Sequence, residues 1–115
     1  MVDSIAIGAR GEQLAEAFLE QQGVEIIARN VHSRFGEIDL IGKEGETLLF
    51  IEVKFRKSAQ FGSPLESVTP QKQARFLKTV EEYLQKSPTD APLRIDVIGI
   101  TGYTAPKIEW VKNAF

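Results

Sequence analysis

Two strongly apolar runs in the middle of the chain predict a β-hairpin. They cover residues 36–41 and 48–54, and a short polar turn at residues 43–46 joins them. Both runs are rich in Ile, Val, Leu and Phe, which is typical of strands. In the second run apolar residues fall on both alternating faces, which indicates a central strand that is covered on both sides.

Four charged residues lie within these runs. By alternation, Glu37 and Asp39 share one face of the first strand, and Glu52 and Lys54 share one face of the second. Charges on such strands are costly unless they are paired or bound to a cation. With ordinary register the carboxylates of Asp39 and Glu52 sit side by side, and Lys54 projects into the same site. Because Mg²⁺ is bound by one or two carboxylates plus waters and substrate phosphates, the pattern predicts a cation site; a buried ion-pair cluster is the structural alternative.

The rest of the chain predicts two helices and three more strands. A helix over residues 4–22 has its apolar residues at helical spacing and ends at Gly23, a typical C-cap. A second helix begins with Thr69 as N-cap and Pro70 at the first helical position, and runs to about Gln85. The further strands are expected over residues 24–31, 93–100 and 107–111. This order predicts an α/β fold with a central mixed sheet.

Other side chains are expected to serve the fold or to lie in loops. Residues 30–34 and 56–64 are predicted as connections, with His32 as a loop residue rather than a general base. Arg94 and Asp96 share one strand face, and Asp96 is expected to pair with Arg94 or with a neighbouring basic group. The expected core residues outside the hairpin include Phe76, Leu77, Val80, Tyr83, Leu84 and Trp110.

Composition narrows the possible classes of protein. The 115 residues suffice for a single domain spanning 1–115, and 43% hydrophobic residues support a packed core. The absence of cysteine excludes disulfide frameworks and Cys-ligated zinc, and fits a cytoplasmic location. The sequence has neither a long apolar run nor a signal-peptide pattern, so no membrane association is expected.

The charge distribution leaves two interpretations open. A net charge of −2 gives no global attraction to nucleic acid. The basic residues nevertheless concentrate in the middle of the chain, where they form either a local basic face or a solvated mixed surface. They are Arg29, His32, Arg34, Lys54, Arg56, Lys57, Lys72, Arg75 and Lys78.

The hairpin residues resemble a nuclease motif. Asp39, followed after twelve residues by Glu52, Val53 and Lys54, resembles the core motif of the PD-(D/E)xK superfamily, which includes restriction enzymes and Holliday junction resolvases. Ile38 stands where that motif often has proline. A closer resemblance is to the YraN-like family of small bacterial proteins, described mainly as endonuclease-like, and it covers nearly the whole chain. The residues that carry it are 8–12 with Ala15, 36–41, 50–54 with Arg56, and Lys72, Tyr83, Leu84, Arg94, Asp96 and Val97.

The resemblance implies a restriction-endonuclease-like core with α-β-β-β-α-β order and a role for each motif residue. Asp39 and Glu52 are implied as ligands of Mg²⁺ or Mn²⁺, with the carbonyl of Val53 as another ligand. Lys54 is implied as the catalytic lysine, and Glu12 of the first helix completes the acidic cluster; a solvent-facing Glu12 is the alternative.

Four residues are expected to support this site. Glu37 is interpreted as a supporting acid, a minor metal ligand or a salt-bridge partner of an arginine. Arg56, Gln71 and Lys72 either contact phosphate or lie in solvent; the last two are near a helix start, where the dipole favours anions.

These residues predict a metal-dependent DNA endonuclease that acts on branched or damaged DNA in repair or recombination. The expected partners are DNA and either a second copy of the chain or a repair protein. The alternatives are a nuclease-fold module that binds DNA or protein without cutting, and a small metal-binding protein.

Overall fold

The computed structural model describes residues 4–57, 62–102 and 104–115, with side chains from residue 10 onward. Both predicted helices and all five predicted strands are present, within a few residues of their expected bounds. Their order is α1 (Ser4–Gln21), β1 (Glu25–His32), β2 (Glu37–Glu44), β3 (Thr47–Arg56), a 3₁₀ helix (Pro64–Ser67), α2 (Pro70–Lys86), β4 (Leu93–Thr101) and β5 (Lys107–Val111). No helix of the described residues is long and apolar enough to cross a membrane.

The five strands form one mixed sheet with the spatial order β1-β2-β3-β4-β5. β3 lies in the centre, antiparallel to β2 and parallel to β4. The parallel pair requires a crossover, which the 3₁₀ helix and α2 supply. The central position predicted for residues 48–54 is therefore confirmed, and the arrangement is that of a restriction-endonuclease-like core.

Each face of the sheet carries one helix and its own hydrophobic cluster. The α1-side cluster contains Ala15, Leu19, Val24, Leu40, Leu49, Ile51, Ile98 and Ile100. The α2-side cluster contains Ile38, Ile41, Leu48, Phe50, Phe76 and Val80. Residues of β3 alternate between the two clusters, as the sequence pattern predicts, so its side chains are covered on both faces.

The β2–β3 turn is tighter than predicted. Glu44 pairs with Thr47, so two residues, Gly45 and Glu46, form the loop. Gly45 has φ +60°, and glycine at this position of a two-residue hairpin avoids the strain a side chain would cause.

Side-chain alternation in β2 is not strict, in contrast to the prediction. Ile38 and Ile41 pack in the α2-side cluster, whereas Leu40 packs in the α1-side cluster. Ile38 and Leu40 are two residues apart, yet their side chains lie on opposite faces of the sheet. The alternation is therefore interrupted at Asp39. On β1, Asn30 lies at the same level and has φ +50°. The irregularity therefore runs through two neighbouring strands at the position of the predicted metal ligand.

The connection predicted at residues 30–34 is partly wrong because β1 continues through His32, which pairs with Glu37. Hydrogen bonding to β2 thus extends the strand over polar residues that lack a strand pattern. At the other predicted connection, β3 continues to Arg56, and residues 58–61 lie outside the described residues.

Helix α2 begins as predicted, with the Thr69 side chain accepting a hydrogen bond from the Lys72 amide. Its expected apolar stripe needs one correction, because Leu77 is 39% exposed whereas Thr79 is buried. Thr79 satisfies its hydroxyl by bonding to the Arg75 carbonyl at 3.1 Å, so a polar residue can occupy the buried face.

Candidate active site

Asp39 lies where β2 and β3 separate. The β2–β3 pairing ends at Leu40 and Ile51, one residue before Asp39 would face Glu52. Beyond that point the Asp39 carboxylate bridges the strands, since its Oδ2 accepts a 2.7 Å hydrogen bond from the amide of Val53. Asp39 is only 5% exposed. The carboxylate is thereby held against the backbone of the segment that carries the other motif residues.

Glu52 and Lys54 project from β3 into a cleft beside α2. The Lys54 Nζ lies 3.5 Å from Glu52 Oε1, and both side chains are about three-quarters buried. The cleft has a volume of about 190 Å³. It is lined by Phe35, Gly36, Glu37, Glu52, Lys54, Val68, Lys72, Arg75 and Phe76.

Asp39 is not among the residues that line this cleft, but it and the acids of the cleft repel one another. Burial and the charge of Glu52 raise the pKa of Asp39 to about 7, against the opposing effect of the Val53 amide. Glu12 and Glu37 add smaller repulsions to Asp39. Burial also raises the pKa of Glu52, although its neighbour Lys54 counteracts this shift. The residues thus form a coupled acidic group in which ionisation is costly.

Glu12 approaches this group from α1. It is half-buried, and burial followed by the charge of Glu37 raises its pKa. Glu12 also lines a second cleft, about 310 Å³ in volume, together with Arg29, Asn30 and three other residues. Glu12 is not among the residues that line the cleft of Glu52 and Lys54, and its predicted role in the acidic cluster stays a prediction.

The donor set fits a hard divalent cation held by two carboxylates. Within residues 4–57, 62–102 and 104–115, no group of three or more acidic or histidine side chains is close enough to hold one ion. The Val53 amide donates to Oδ2 of Asp39, and within the same residues no hydrogen bond to Oδ1 is found. If a cation binds here, Asp39 and Glu52 would be its carboxylate donors, since Mg²⁺ is held by one or two carboxylates together with water and phosphate.

Glu37 has a different partner from the arginines considered as salt-bridge partners from the sequence. Its Oε2 lies 3.3 Å from His32 Nδ1, at the paired ends of β1 and β2. Both side chains are well exposed, so this pair contributes little stability. Glu37 also lines the cleft and influences Asp39, which agrees with a supporting position.

The three residues predicted to contact phosphate, Arg56, Gln71 and Lys72, have different surroundings from one another. Arg56 is half-buried, and its guanidinium donates to Thr101 Oγ1 at 3.2 Å and to the Gly62 carbonyl, so it connects β3 to β4 and to the following loop. Gln71 is exposed and is not among the residues lining the cleft, within the described parts of the chain. Lys72 does line it, and its Nζ lies 3.5 Å from the Ser67 carbonyl. The structure therefore brings one of the three to the acidic residues.

A family model described as "Uncharacterised protein family UPF0102" matches residues 11–100. The chain belongs to the UPF0102 family. The resemblance to the YraN-like family, which is this same family, is thereby confirmed.

UPF0102 proteins from several bacteria are similar to the chain over most of its length. One from Nitrosomonas europaea is 44% identical over 108 residues, which cover 94% of this chain and 92% of the relative. One from Neisseria gonorrhoeae is 46% identical over 107 residues, which cover 92% and 91% respectively. A third, from Nitrosococcus oceani, is 43% identical over 111 residues, covering 94% and 90%.

One residue that lines the cleft of this UPF0102 protein is not indicated by the sequence pattern. Phe35 lies in the β1–β2 loop and lines the cleft, although its position in a polar connection drew no attention to it. A usable signal exists, because an aromatic residue between Arg34 and Gly36 is exceptional in an otherwise polar turn. Arg75 was placed in the mid-chain basic group, and its position on the cleft depends on the packing of α2.

Proposed function

We propose that the chain is a Mg²⁺- or Mn²⁺-dependent nuclease that hydrolyses phosphodiester bonds of DNA. The main support is the position of Asp39, a buried carboxylate that is bonded to the Val53 amide between Glu52 and Lys54. A protein that needed this carboxylate for folding alone would be expected to pair it with a cation. Instead its charged neighbours are acids, which add to the larger effect of burial in raising its pKa.

In this proposal Asp39, Glu52 and the carbonyl of Val53 hold the cation. A divalent cation bound there supplies positive charge for the phosphate oxygens and lowers the pKa of a bound water. Glu12 adds negative charge from the α1 side and strengthens the attraction for the cation. Lys54 places its ammonium beside Glu52, where it stabilises the extra negative charge that develops on the phosphate in the transition state.

The cleft walls support phosphate as the group that is bound. Lys54 of β3 and Lys72 and Arg75 of α2 line the cleft together with the acidic residues Glu37 and Glu52, and Lys54 lies beside Glu52 on the same strand. Lysine and arginine side chains that neutralise phosphates release counterions, so binding of DNA weakens as salt is raised. These local basic residues support DNA binding by a chain whose net charge is −2.

A non-cleaving DNA- or protein-binding module is the second candidate. It is favoured by one observation, the absence of a three-residue metal cluster among the described residues. In that case Glu52 and Lys54 form an ion pair, and the cleft binds its partner without hydrolysing it.

Cation binding and cleavage separate the two candidates. Calorimetric titration with Mn²⁺ should show binding by the parent protein and little by a folded Asp39→Ala, Glu52→Ala variant. A panel of linear, single-stranded, flapped and four-way DNA with Mg²⁺ or Mn²⁺ should then show cleavage by the parent and none by Asp39→Ala. Glu109→Gln, which removes an exposed acid on β5, is the matched control and should behave like the parent. Equal Mn²⁺ binding by parent and double variant would remove the site assignment.

A further inference from the structure

Phe35 presents an aromatic ring beside the cleft. It lies in the loop between β1 and β2, is half-buried, and belongs to neither hydrophobic cluster of the described residues. Two cations lie over its ring, with Arg34 Cζ 4.9 Å and Lys78 Nζ 5.2 Å from the ring centroid. Both cationic side chains are exposed. The ring is therefore a surface feature in contact with two cations, although Glu81 and Glu82 line the same surface pocket, and its position is not explained by packing in either cluster.

A partly buried hydrogen-bond network holds the loop that carries this ring. Ser33 Oγ accepts the Phe35 amide at 3.0 Å and lies 2.8 Å from Thr79 Oγ1 of α2. The Ser33 amide in turn donates to the Gly36 carbonyl at 2.8 Å. Thr79 is 1% exposed, so this contact is shielded from water. The loop is thus held in one position relative to α2, and the ring is prepositioned at the edge of the cleft.

We propose that Phe35 is a stacking platform for an unpaired nucleobase of the DNA substrate. This inference rests on the proposed function, because the strand's phosphates would lie along Lys54, Lys72 and Arg75 on the adjoining wall. A base offers a larger π-surface than a cation does, and it stacks on an aromatic ring whatever its identity. Arg34, displaced from the ring, then pairs with a neighbouring phosphate.

The same geometry defines the class of substrate. Bases within a duplex are stacked on each other and their faces are closed to a side chain, whereas bases in single strands, flaps and forks are open. Since the net charge of the chain is −2, electrostatic attraction to DNA is weak outside the cleft. Stacking supplies affinity that does not depend on charge. The site therefore selects DNA with a single-stranded segment next to the phosphate in the cleft.

Binding in EDTA tests the platform without involving cation binding or cleavage. The probes are a short single-stranded DNA carrying 2-aminopurine, the corresponding duplex, and an RNA strand of the same sequence. Phe35→Leu keeps apolar volume but loses the π-face, Phe35→Tyr keeps the face, and Phe115→Leu is a matched control for a half-buried phenylalanine outside the cleft. Phe35→Leu should weaken single-strand binding about tenfold and abolish the change in aminopurine fluorescence, whereas Phe35→Tyr and Phe115→Leu should retain both.

Several results would overturn the proposal that Phe35 stacks on a base. Unchanged single-strand affinity in Phe35→Leu, tighter binding of the duplex by the parent, or no single-strand binding at low salt would each remove the platform. Tighter binding of RNA would overturn the assignment to DNA. Melting curves of all variants exclude unfolding as the cause, and an equal loss in Phe35→Tyr would indicate a structural role. If the cleavage panel fails while the Phe35→Leu effect persists, the nuclease proposal alone is lost.

Discussion

Two buried aspartates on this sheet have opposite surroundings. Asp96 on β4 is fully buried and accepts hydrogen bonds from four donors on three residues. Arg94 donates through Nε at 3.0 Å and Nη2 at 2.9 Å, Trp110 Nε1 donates at 2.9 Å, and the Asn113 amide donates at 2.9 Å. The charge of Asp96 is thus paired with a guanidinium, and the network fastens the C-terminal segment to β4.

Asp39 on β2 is nearly as deeply buried but has few partners. In the described residues its hydrogen bond comes from the Val53 amide, and the charges that affect its pKa come from Glu52, Glu12 and Glu37. Burying a carboxylate without a cation costs stability. Asp96 thus has the partners that offset its burial, whereas no salt bridge to Asp39 is found among the described residues.

Removing the Asp96 carboxylate should therefore cost much more stability than removing the Asp39 carboxylate. Asp96→Ala leaves Arg94 without its main partner and should lower the unfolding free energy by about 3–5 kcal/mol. Asp39→Ala removes a repulsive charge and should not lower it comparably. Urea unfolding of both variants at one pH measures the difference. An Asp39→Ala protein that loses as much stability as Asp96→Ala would make Asp39 a structural residue and contradict the comparison.

The sequence predicted the Asp96 network better than the Asp39 site. Arg94 and Asp96 are two residues apart on one strand, so alternation alone places them together, and their expected pairing is confirmed. The Asp39 site depends on the point at which β2 and β3 separate and on Asn30 at φ +50°, neither of which leaves a hydrophobic signature. Roles for Asp39, Glu52 and Lys54 stay predictions, since placement alone does not test them.

Contacts between distant segments account for what the sequence could not supply. Ser33 and Thr79 bond across 46 positions, and each is an ordinary polar residue in its local context. The apolar stripe predicted from helical spacing is about 100° wide, and Leu77 lies at its margin. The pattern therefore includes Leu77, which is exposed, and omits the polar Thr79, which is buried. Local patterns fix the elements, whereas the walls of the cleft follow from how α2 lies against the β1–β2 loop.

The raised pKa of Asp39 predicts that the stability of the folded protein depends on pH. An unfolded aspartate ionises near pH 3.9, whereas Asp39 in the folded protein ionises at about 7. Between these values the folded protein holds a proton that the unfolded chain has released, so the unfolding free energy falls as pH rises through this range. The full shift corresponds to about 4 kcal/mol at most.

Asp39→Asn should flatten this decline and be more stable than the parent at about pH 8, because the amide is never charged. Urea unfolding of the parent and of Asp39→Asn across this pH range, without divalent cations, measures how the unfolding free energy of each protein changes with pH. Adding Mg²⁺ at the upper pH should then stabilise the parent more than Asp39→Asn, since a ligand that binds the folded state raises stability. Parallel slopes for the two proteins would show that Asp39 does not carry the dependence.

Lys54 distinguishes a catalytic acidic group from an ion-pair cluster. Lys54→Ala should reduce cleavage by about 10² or more, the usual effect of losing one preorganised electrostatic contact, while leaving Mn²⁺ affinity equal or slightly tighter. A catalytic role predicts little change in melting temperature, whereas an ion-pair cluster, with both side chains about three-quarters buried, predicts a large fall. Lys54→Arg should also cut poorly, because a planar guanidinium does not replace a compact ammonium. A large fall in melting temperature, or cleavage at the parental rate, would remove Lys54 from the catalytic residues.

The smallest effect concerns the outer partner of the Asp96 network. Arg94 Nη1 lies 3.1 Å from Glu44 Oε1 at the end of β2, and both side chains are partly exposed. Asp96 and then Glu44 raise the pKa of Arg94, so Glu44 is the weaker of its two partners. Glu44→Gln should therefore lower the unfolding free energy by no more than about 1 kcal/mol, and less at high salt. Glu46→Gln, an exposed acid in the adjacent turn, is the control in urea unfolding at low and high salt. A loss in Glu44→Gln that matches Asp96→Ala would mean that Arg94 depends on the hairpin rather than on the buried aspartate, and the offset of burial at Asp96 would need another source.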